Sequence, residues 1–354
     1  MSVSVVDLFC GVGGMTHGFI LEGFNVVAGI DIDESCEYPY QANNDNSKFY
    51  KEDILTIPTS YIEDLYPTGD LKILIGCAPC QPYSSNARAK RRNDDKWKLV
   101  PRFAEIIQET QPEIVSMENV PDLVNFQKKA VFNNFVDNLR KSGYSVYSSI
   151  IYCPDYGVPQ TRKRLVLLAS KLGDIKLIEK THHSDAYPTV KSTIFDLPPL
   201  NSGETHIDDP LHFTRKLSDL NLKRIRQSRP GGTWKDWDEE LVAACHRKAS
   251  GASYRSVYGR MVWNEPAPTI TTQAYAFGSG RFGHPEQDRA LSLREMALLQ
   301  TFPEDYEFVK PNEHVYLKRV GTLIGNAVPV TLGRVVARSI ERHLTTYGYT
   351  IGKE

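Results

Sequence analysis

The stretch Asp7-Leu-Phe-Cys-Gly-Val-Gly-Gly-Met15 decides how the rest of this chain is read. It closes an apolar run that starts at Val3 and opens a helical pattern near Met15 to Leu21, so its glycines fall where a strand turns tightly into a helix. Backbone N–H groups at such a turn suit a nucleotide-like ligand. A dinucleotide fingerprint would need glycine three places after Gly13, where Thr16 stands, which argues against a plain nicotinamide site. Outward from the turn the alternation continues. Val26 to Ile30 reads as a strand, Glu34 to Asn43 as a helix, Leu71 to Gly76 as a strand and Leu99, Phe103, Ile106 and Ile107 as a helix face. Glu113 to Met117, Tyr144 to Tyr152 and Leu165 to Ala169 read as later strands, with a helix marked by Val131, Phe132, Phe135, Val136 and Leu139 among them. This is the rhythm of an α/β protein with a doubly wound, Rossmann-like sheet.

The pattern implies a first domain over 1–178 and a smaller, irregular, Pro/Gly-punctuated domain over 179–290. A hinge and helix region follows over 291–320, and 321–354 returns to the first domain, where Val335, Val336, Ile340 and Leu344 regain helical spacing. With 354 residues, 41% hydrophobic and 24% charged, the composition is that of a globular protein with a large core. No apolar run approaches the roughly 20 residues of a membrane helix and the amino terminus lacks a signal-like pattern, so a cytoplasmic protein is expected. Six cysteines are too sparse for a disulfide scaffold, and free thiols are expected. The net charge of −1 hides a separation: residues 1–75 carry three basic and twelve acidic side chains, whereas residues 86–102 carry seven basic and two acidic. A local phosphate-binding surface is compatible with that stripe.

Asp31, twenty residues beyond Gly11 at the end of the second strand, stands where a doubly wound fold presents a carboxylate to ribose hydroxyls, and Asp53 stands similarly after the next segment. Gly76-Cys-Ala-Pro-Cys-Gln-Pro-Tyr-Ser84 contains a C-x-x-C, but no second pair supplies further zinc ligands, and no metal is expected. Cys80 at the end of a strand is better read as a nucleophile, with nearby backbone N–H groups or cations favouring its thiolate. Glu118 ends another strand at the same carboxyl edge of the sheet. Arg162 and Arg164, two apart, would point the same way if extended geometry begins at Arg162.

Together these residues resemble the cytosine-5 DNA methyltransferases, and the resemblance spans essentially the whole chain. It rests on eight elements in order: the D-x-F-x-G-x-G-G loop at Asp7 to Gly14, Asp31, Asp53, Pro79-Cys80-Gln81, Glu118-Asn119-Val120, Gln160 to Arg164, Arg294 to Pro303 and Gly325 to Pro329. The resemblance implies S-adenosyl-L-methionine as cofactor, with Phe9, Gly11, Gly13 and Gly14 around its methionine part, Asp31 at its ribose and Ile32, Asp53 and Ile54 at its adenine. Pro79, Asn326 and Val328 would complete that site. It implies catalysis by Cys80 and Glu118, with Arg162 and Arg164 stabilising developing charge, on a cytosine flipped out of double-stranded DNA. The 179–290 region would be the target-recognition domain. DNA contacts are expected from Gln81, Ser84, Arg88, Arg91 and Arg92, and from the basic cluster Lys223, Arg224, Arg226 and Arg229. A bacterial modification enzyme of this kind implies a monomer, with a cognate restriction endonuclease acting on the same site.

Three other readings fit less well. The RNA-methylating branch of the family carries Cys-Phe-Thr in its recognition region, and no such tripeptide occurs here. Exocyclic amino methyltransferases carry an acidic residue, Asn or Ser before Pro-Pro-aromatic, unlike Pro79-Cys-Gln. A non-catalytic DNA-binding relative should have lost some of the chemical residues that this sequence retains.

Overall fold

The computed structural model describes residues 2–79, 83, 95–248, 250–251 and 253–352. The chain folds as two units. The first comprises Met1–Tyr156, Lys163–Thr181 and Val328–Glu354, and the second comprises Gly157–Arg162 and His182–Ala327.

The first unit is built on a seven-stranded sheet of β1 (Val3–Leu8), β2 (Asn25–Asp31), β3 (Lys48–Lys51), β4 (Leu71–Gly76), β5 (Ile114–Asn119), β6 (Ser145–Tyr152) and β7 (Lys163–Ser170), in the order β3-β2-β1-β4-β5-β7-β6. The strands from β3 to β5 are mutually parallel, and β7 runs antiparallel to both β5 and β6. All six residues of β1 are buried, as expected of a central parallel strand covered on both faces. Strand order reverses at β1, which lies between β2 and β4, and the carboxyl edge at such a switch point is where open α/β sheets bind ligands. The helices α1 (Gly14–Leu21), α2 (Glu37–Ala42), α3 (Thr59–Glu63), α4 (Leu99–Thr110) and α5 (Ala130–Lys141) complete the unit's first half. Phe103, Ile106 and Ile107 of α4 and Phe135 and Leu139 of α5 bury one apolar stripe each against Leu74, Val115, Met117 and Leu167 of the sheet.

The second unit is mostly irregular, with α6 (Val190–Ile194), α7 (Asp219–Gln227), α8 (Leu293–Leu299) and α9 (Leu317–Asn326). The Ser292 side chain caps α8, and Glu295 reaches back to the Ser292 N–H and pairs with the buried Arg289. α10 (Val330–Thr346) then belongs to the first unit, where it packs on α1. The approach is close. A Cβ at Gly18 would lie 2.7 Å from the backbone of Val330, Gly333 and Arg334. Arg334 and Arg338 of α10 both pair with Glu22, the residue that ends α1.

Two features differ from the sequence expectation. The edge strand β3, only four residues long, is too short to show an alternating pattern. The return to the first unit comes at Val328 rather than at 321, because α9 packs against α8 and stays with the second unit.

Candidate active site

The turn after β1 is held by its own backbone. Gly13 N–H donates to the Cys10 carbonyl at 2.9 Å, and Cys10 N–H to the Ile30 carbonyl of β2 at 3.1 Å. Gly13, at φ 88°, caps α1 in the left-handed region that glycine adopts without strain. Phe9 also takes positive φ, 60°, a strained state for a residue with a Cβ and one that clusters at functional sites. Its ring meets Phe103 edge to face at 6.4 Å. Asp31, at the carboxyl end of β2, accepts from Gly11 N–H and from Asp33 N–H, each at 2.9 Å, which fixes its carboxylate beside the turn. Burial raises the pKa of this acid, against the pull of those two N–H groups. Beyond it Ile32 is 63% exposed, an apolar side chain left in solvent at the switch point. Asp53 accepts from Leu55 N–H, whereas Ile54 is buried in the core.

Beneath the turn lies Asp7, fully buried. Its Oδ2 accepts from the Thr16 hydroxyl at 2.7 Å, and its Oδ1 has no hydrogen-bond partner among the described residues. Desolvation, helped by the Asp31 charge and opposed by the Thr16 hydrogen bond, pushes this carboxyl up to about 7.

The neighbouring edge brings together β4, β5 and β7. Cys77 N–H donates to the Leu8 carbonyl, extending the ladder past β4, and Asn119 Nδ2 donates to the Ala78 carbonyl at 3.0 Å. Asn119 thereby anchors the segment that leads into Pro79 and Cys80. Cys80 itself lies outside the described residues. Glu118, at the end of β5, is paired in register with Val166 of β7 and is 6% exposed. Arg164, two residues earlier in β7, places Nε 2.7 Å from Glu118 Oε1. Cys77 is held as a neutral thiol by burial and by the charges of Glu118 and Asp7, with Arg164 opposing. Of the two sulfurs in the C-x-x-C, it is the unsuitable nucleophile.

Arg162 and Arg164 do not point the same way. β7 begins at Lys163, and the Arg162 N–H donates to the Gln160 carbonyl at 2.7 Å in a tight turn, so the extended geometry needed to align the two arginines is missing. Arg162 is buried in the second unit, where its guanidinium faces the Ile270 and Ala327 carbonyls at 3.5 Å and Gln300 Oε1 at 3.4 Å. Two glutamines organise this cluster. Gln160 donates to Gln300 Oε1 and the Leu299 carbonyl and accepts from Ile270 N–H, while Gln300 donates to the Ile324 and Ala327 carbonyls. A Cβ at Gly325 would overlap the backbone of Thr271 and Thr272. Both glutamines were present in the motifs, but their role depends on contacts about 140 residues apart and carries no local signature.

A strand-to-helix glycine turn, a carboxylate hydrogen-bonded beside it and a Glu–Arg ion pair now share one carboxyl edge. The model for C-5 cytosine-specific DNA methylases matches residues 3–342. The chain belongs to that family. It is 54% identical to the Type II methylase M.HgiDII of Herpetosiphon aurantiacus, over 96% of both chains. It is 28% identical to the Type II methyltransferase M1.HphI of Haemophilus parahaemolyticus, over 96% of this chain and 87% of that one. Among solved structures, a prophage-encoded DNA modification methyltransferase of E. coli superposes with a TM-score of 0.76 at 21% identity, covering 97% of this chain and all of that one. A methyltransferase of Entamoeba histolytica gives 0.67 at 18% identity, over 97% and 99%. The fold is accordingly the Rossmann-like methyltransferase fold, and the protein is a DNA (cytosine-5-)-methyltransferase.

The expected DNA-binding residues of the methylase divide sharply. Gln81, Ser84, Arg88, Arg91 and Arg92 lie outside the described residues. In the 223–229 cluster, Arg224 is buried, donates to the Leu241 carbonyl at 2.8 Å and stacks over the Trp237 and Tyr258 rings. Arg226 pairs with Asp288 and Arg229 with Asp236, each at 3.1 Å. Lys223 is exposed and makes no ion pair among the described residues. Asn326, exposed at the end of α9, and Val328, buried ahead of α10, belong to different units.

Proposed function

We propose that this methylase transfers the methyl group of S-adenosyl-L-methionine to carbon 5 of a cytosine rotated out of duplex DNA, as the modification half of a Type II restriction–modification pair. The pairing with an endonuclease acting on the same site is supported by the 54% identity with a protein named a Type II methylase. The Glu118–Arg164 pair beside the Asn119-anchored segment carries the chemical reading.

The residues at the switch point fit the cofactor. Gly11 has open space where a Cβ would stand, Asp31 offers a fixed carboxylate to ribose hydroxyls, and Ile32 offers an apolar face to an adenine. Asp53 and Ile54 would border the adenine. Phe9 and the glycines at 11, 13 and 14 would line the methionine side, and Pro79 and Val328, also in the first unit, would close the site. When bound, the cofactor supplies a sulfonium methyl group.

Carbon 5 of cytosine is too poor a nucleophile to take that methyl unaided. Cys80 thiolate forms a bond to carbon 6, and the displaced π electrons move toward carbon 5 and N3. Glu118 shares a proton with N3, which makes carbon 5 enamine-like. Carbon 5 would take the methyl as the methyl–sulfur bond breaks and the donor leaves as a neutral thioether. Carbon 5 then gives up its proton to a base, the returning electron pair expels Cys80, and the N3 proton returns to Glu118. Arg164 orients the Glu118 carboxyl through Oε1 and opposes charge that develops on the ring. Arg162 acts differently, by bracing the 160–162 turn from which β7 starts.

Duplex DNA carrying 5-fluorocytosine tests this reading, because fluorine cannot leave carbon 5 as a proton does and Cys80 stays bonded. A covalent complex that requires both S-adenosyl-L-methionine and Cys80 is expected. Methyl transfer from labelled cofactor without any trapped complex would overturn the proposed mechanism, and no transfer to any duplex would overturn the proposed function.

A further inference from the structure

The second unit contains a concavity of about 440 Å³ between the start of α7 and the 273–279 segment. Its floor is aromatic and rigid. Tyr258 and Phe277 meet edge to face at 5.4 Å, Tyr258 is held at φ 58°, and a Cβ at Gly278 would press on the Tyr258 ring at 2.9 Å. The buried Arg224 guanidinium lies 5.3 Å from the centroid of the Tyr258 ring, and the Ser228 hydroxyl donates to the Tyr258 carbonyl. A side chain in a left-handed conformation, fixed from several directions, marks a place where the fold accepts strain to hold a surface in shape.

The rim has the opposite character. Arg215, Lys216 and Gln273 are exposed, and none of their side chains makes a hydrogen bond or ion pair among the described residues. Asn221 lines the same concavity, but its Oδ1 already accepts from Arg224 at 3.0 Å. Arginine, glutamine and asparagine are the side chains whose paired donors and acceptors match the major-groove edges of guanine and adenine. The 223–229 cluster lacks this freedom, since Arg224, Arg226 and Arg229 are already committed to Leu241, Asp288 and Asp236.

We infer that this concavity is the base-reading surface of the recognition unit: Arg215 and Gln273 read base edges in the major groove of the target DNA, and Lys216 contacts an adjacent phosphate. The inference rests on the proposed function and adds the residues that set its sequence preference. Arg215 and Gln273 approach from two chain segments that the rigid Tyr258 floor holds in place. Two bases of one site can therefore be read without any ordering of the surface on binding.

The test uses the full chain, S-adenosyl-L-methionine and a library of duplexes with randomised sequence, read by bisulfite sequencing. The wild-type protein and the Arg215→Ala, Arg215→Lys and Gln273→Ala variants are compared, with thermal melts confirming that each is folded. Arg215→Ala and Gln273→Ala should each relax the preference at one position by roughly tenfold or more. Arg215→Lys should relax it too, because a lysine keeps the charge without the bidentate fork. In a salt titration of DNA affinity, Lys216→Ala should reduce the slope by about one while leaving the preference intact. An unchanged preference in both Arg215→Ala and Gln273→Ala would overturn the inference while leaving the enzyme's function standing. Full restoration of the preference by Arg215→Lys would reduce Arg215 to a phosphate contact and overturn its base-reading role. A wild-type protein that methylates no member of the library would bring down the proposed function, and this inference with it.

Discussion

Arg164 Nε lies 2.7 Å from Glu118 Oε1, with the two side chains only 12% and 7% exposed. The contact is an ion pair, and Oε1 makes no hydrogen bond among the described residues, so the carboxyl keeps its hydrogen-bonding capacity for a bound base. Glu118→Gln keeps the shape and loses the ability to exchange a proton. Its methyl-transfer rate should fall by roughly 10²–10⁴-fold, the usual worth of a positioned acid, with cofactor affinity nearly unchanged because the glycine turn is untouched. Single-turnover kinetics and equilibrium cofactor binding measured side by side check this, and equal losses in both would contradict the assignment.

Removing the partner has a different signature. Arg164→Ala leaves the Glu118 carboxylate buried without a counter-charge, a change that costs about 3–5 kcal/mol. The double variant Arg164→Ala, Glu118→Gln should recover part of that stability in denaturant melts. If the double variant is no more stable than Arg164→Ala alone, the pair is not coupled.

Much of this edge was legible from sequence because it is local. The Asp7 to Met15 turn follows from glycines between a strand pattern and a helix pattern, and Leu71 to Gly76 forms a strand with the bounds its apolar run implies. Glu118 needed only the end of β5 to be placed. Arg162 was not legible in the same way. Its direction depends on where β7 begins and on Gln300, far along the chain, and strand spacing alone put it beside Arg164. Arg224 misled for a related reason. A helix carrying Lys223, Arg224 and Arg226 looks like a charged face, yet one of these turns inward to stack on two aromatic rings that lie later in the sequence.

The buried Asp7 gives a pH dependence whose sign is fixed. Its carboxyl is pushed up to about 7 in the folded protein from an ordinary value of 3.8, chiefly by desolvation. Between those values the folded state holds the proton more tightly than the unfolded chain. Stability from this group is therefore full in acid, falls as pH rises through that window, and is flat above about pH 7. The slope is at most about 1.4 kcal/mol per pH unit. Asp7→Asn, which can still accept from Thr16, should flatten urea stability across the window, and parallel profiles for the two proteins would refute the burial effect.

Cys77 and Cys80 should behave oppositely. Burial and the flanking acids keep the Cys77 thiol neutral, so Cys77→Ala should retain methyl transfer and 5-fluorocytosine trapping within a few-fold. Cys80→Ala should abolish both. Trapping that survives loss of Cys80 but not loss of Cys77 would reverse the roles.

Packing of the C-terminal helix hinges on Gly18. A methyl group there meets backbone rather than a movable side chain, at 2.7 Å, so α1 and α10 must separate. Gly18→Ala should cost about 1–3 kcal/mol or more despite its better helix propensity. A melting temperature equal to or above that of the parent would show that the two helices can shift apart freely.

The basic stretch around α7 is best resolved by contrasting neighbours. Arg224→Ala removes the bond to the Leu241 carbonyl and the stacking on Trp237 and Tyr258, so the second unit should lose stability before any effect on DNA is considered. Loss of buried hydrogen bonding to a charged group and of two cation–π contacts amounts to about 2–4 kcal/mol. Lys223→Ala touches no such structure. It should leave the melting temperature within error, and if Lys223 meets a phosphate it should lower the salt slope of DNA binding by about one. Melting curves and salt titrations of both variants separate the two roles. If Arg224→Ala melts like the parent while flattening the salt dependence, Arg224 serves DNA rather than the fold.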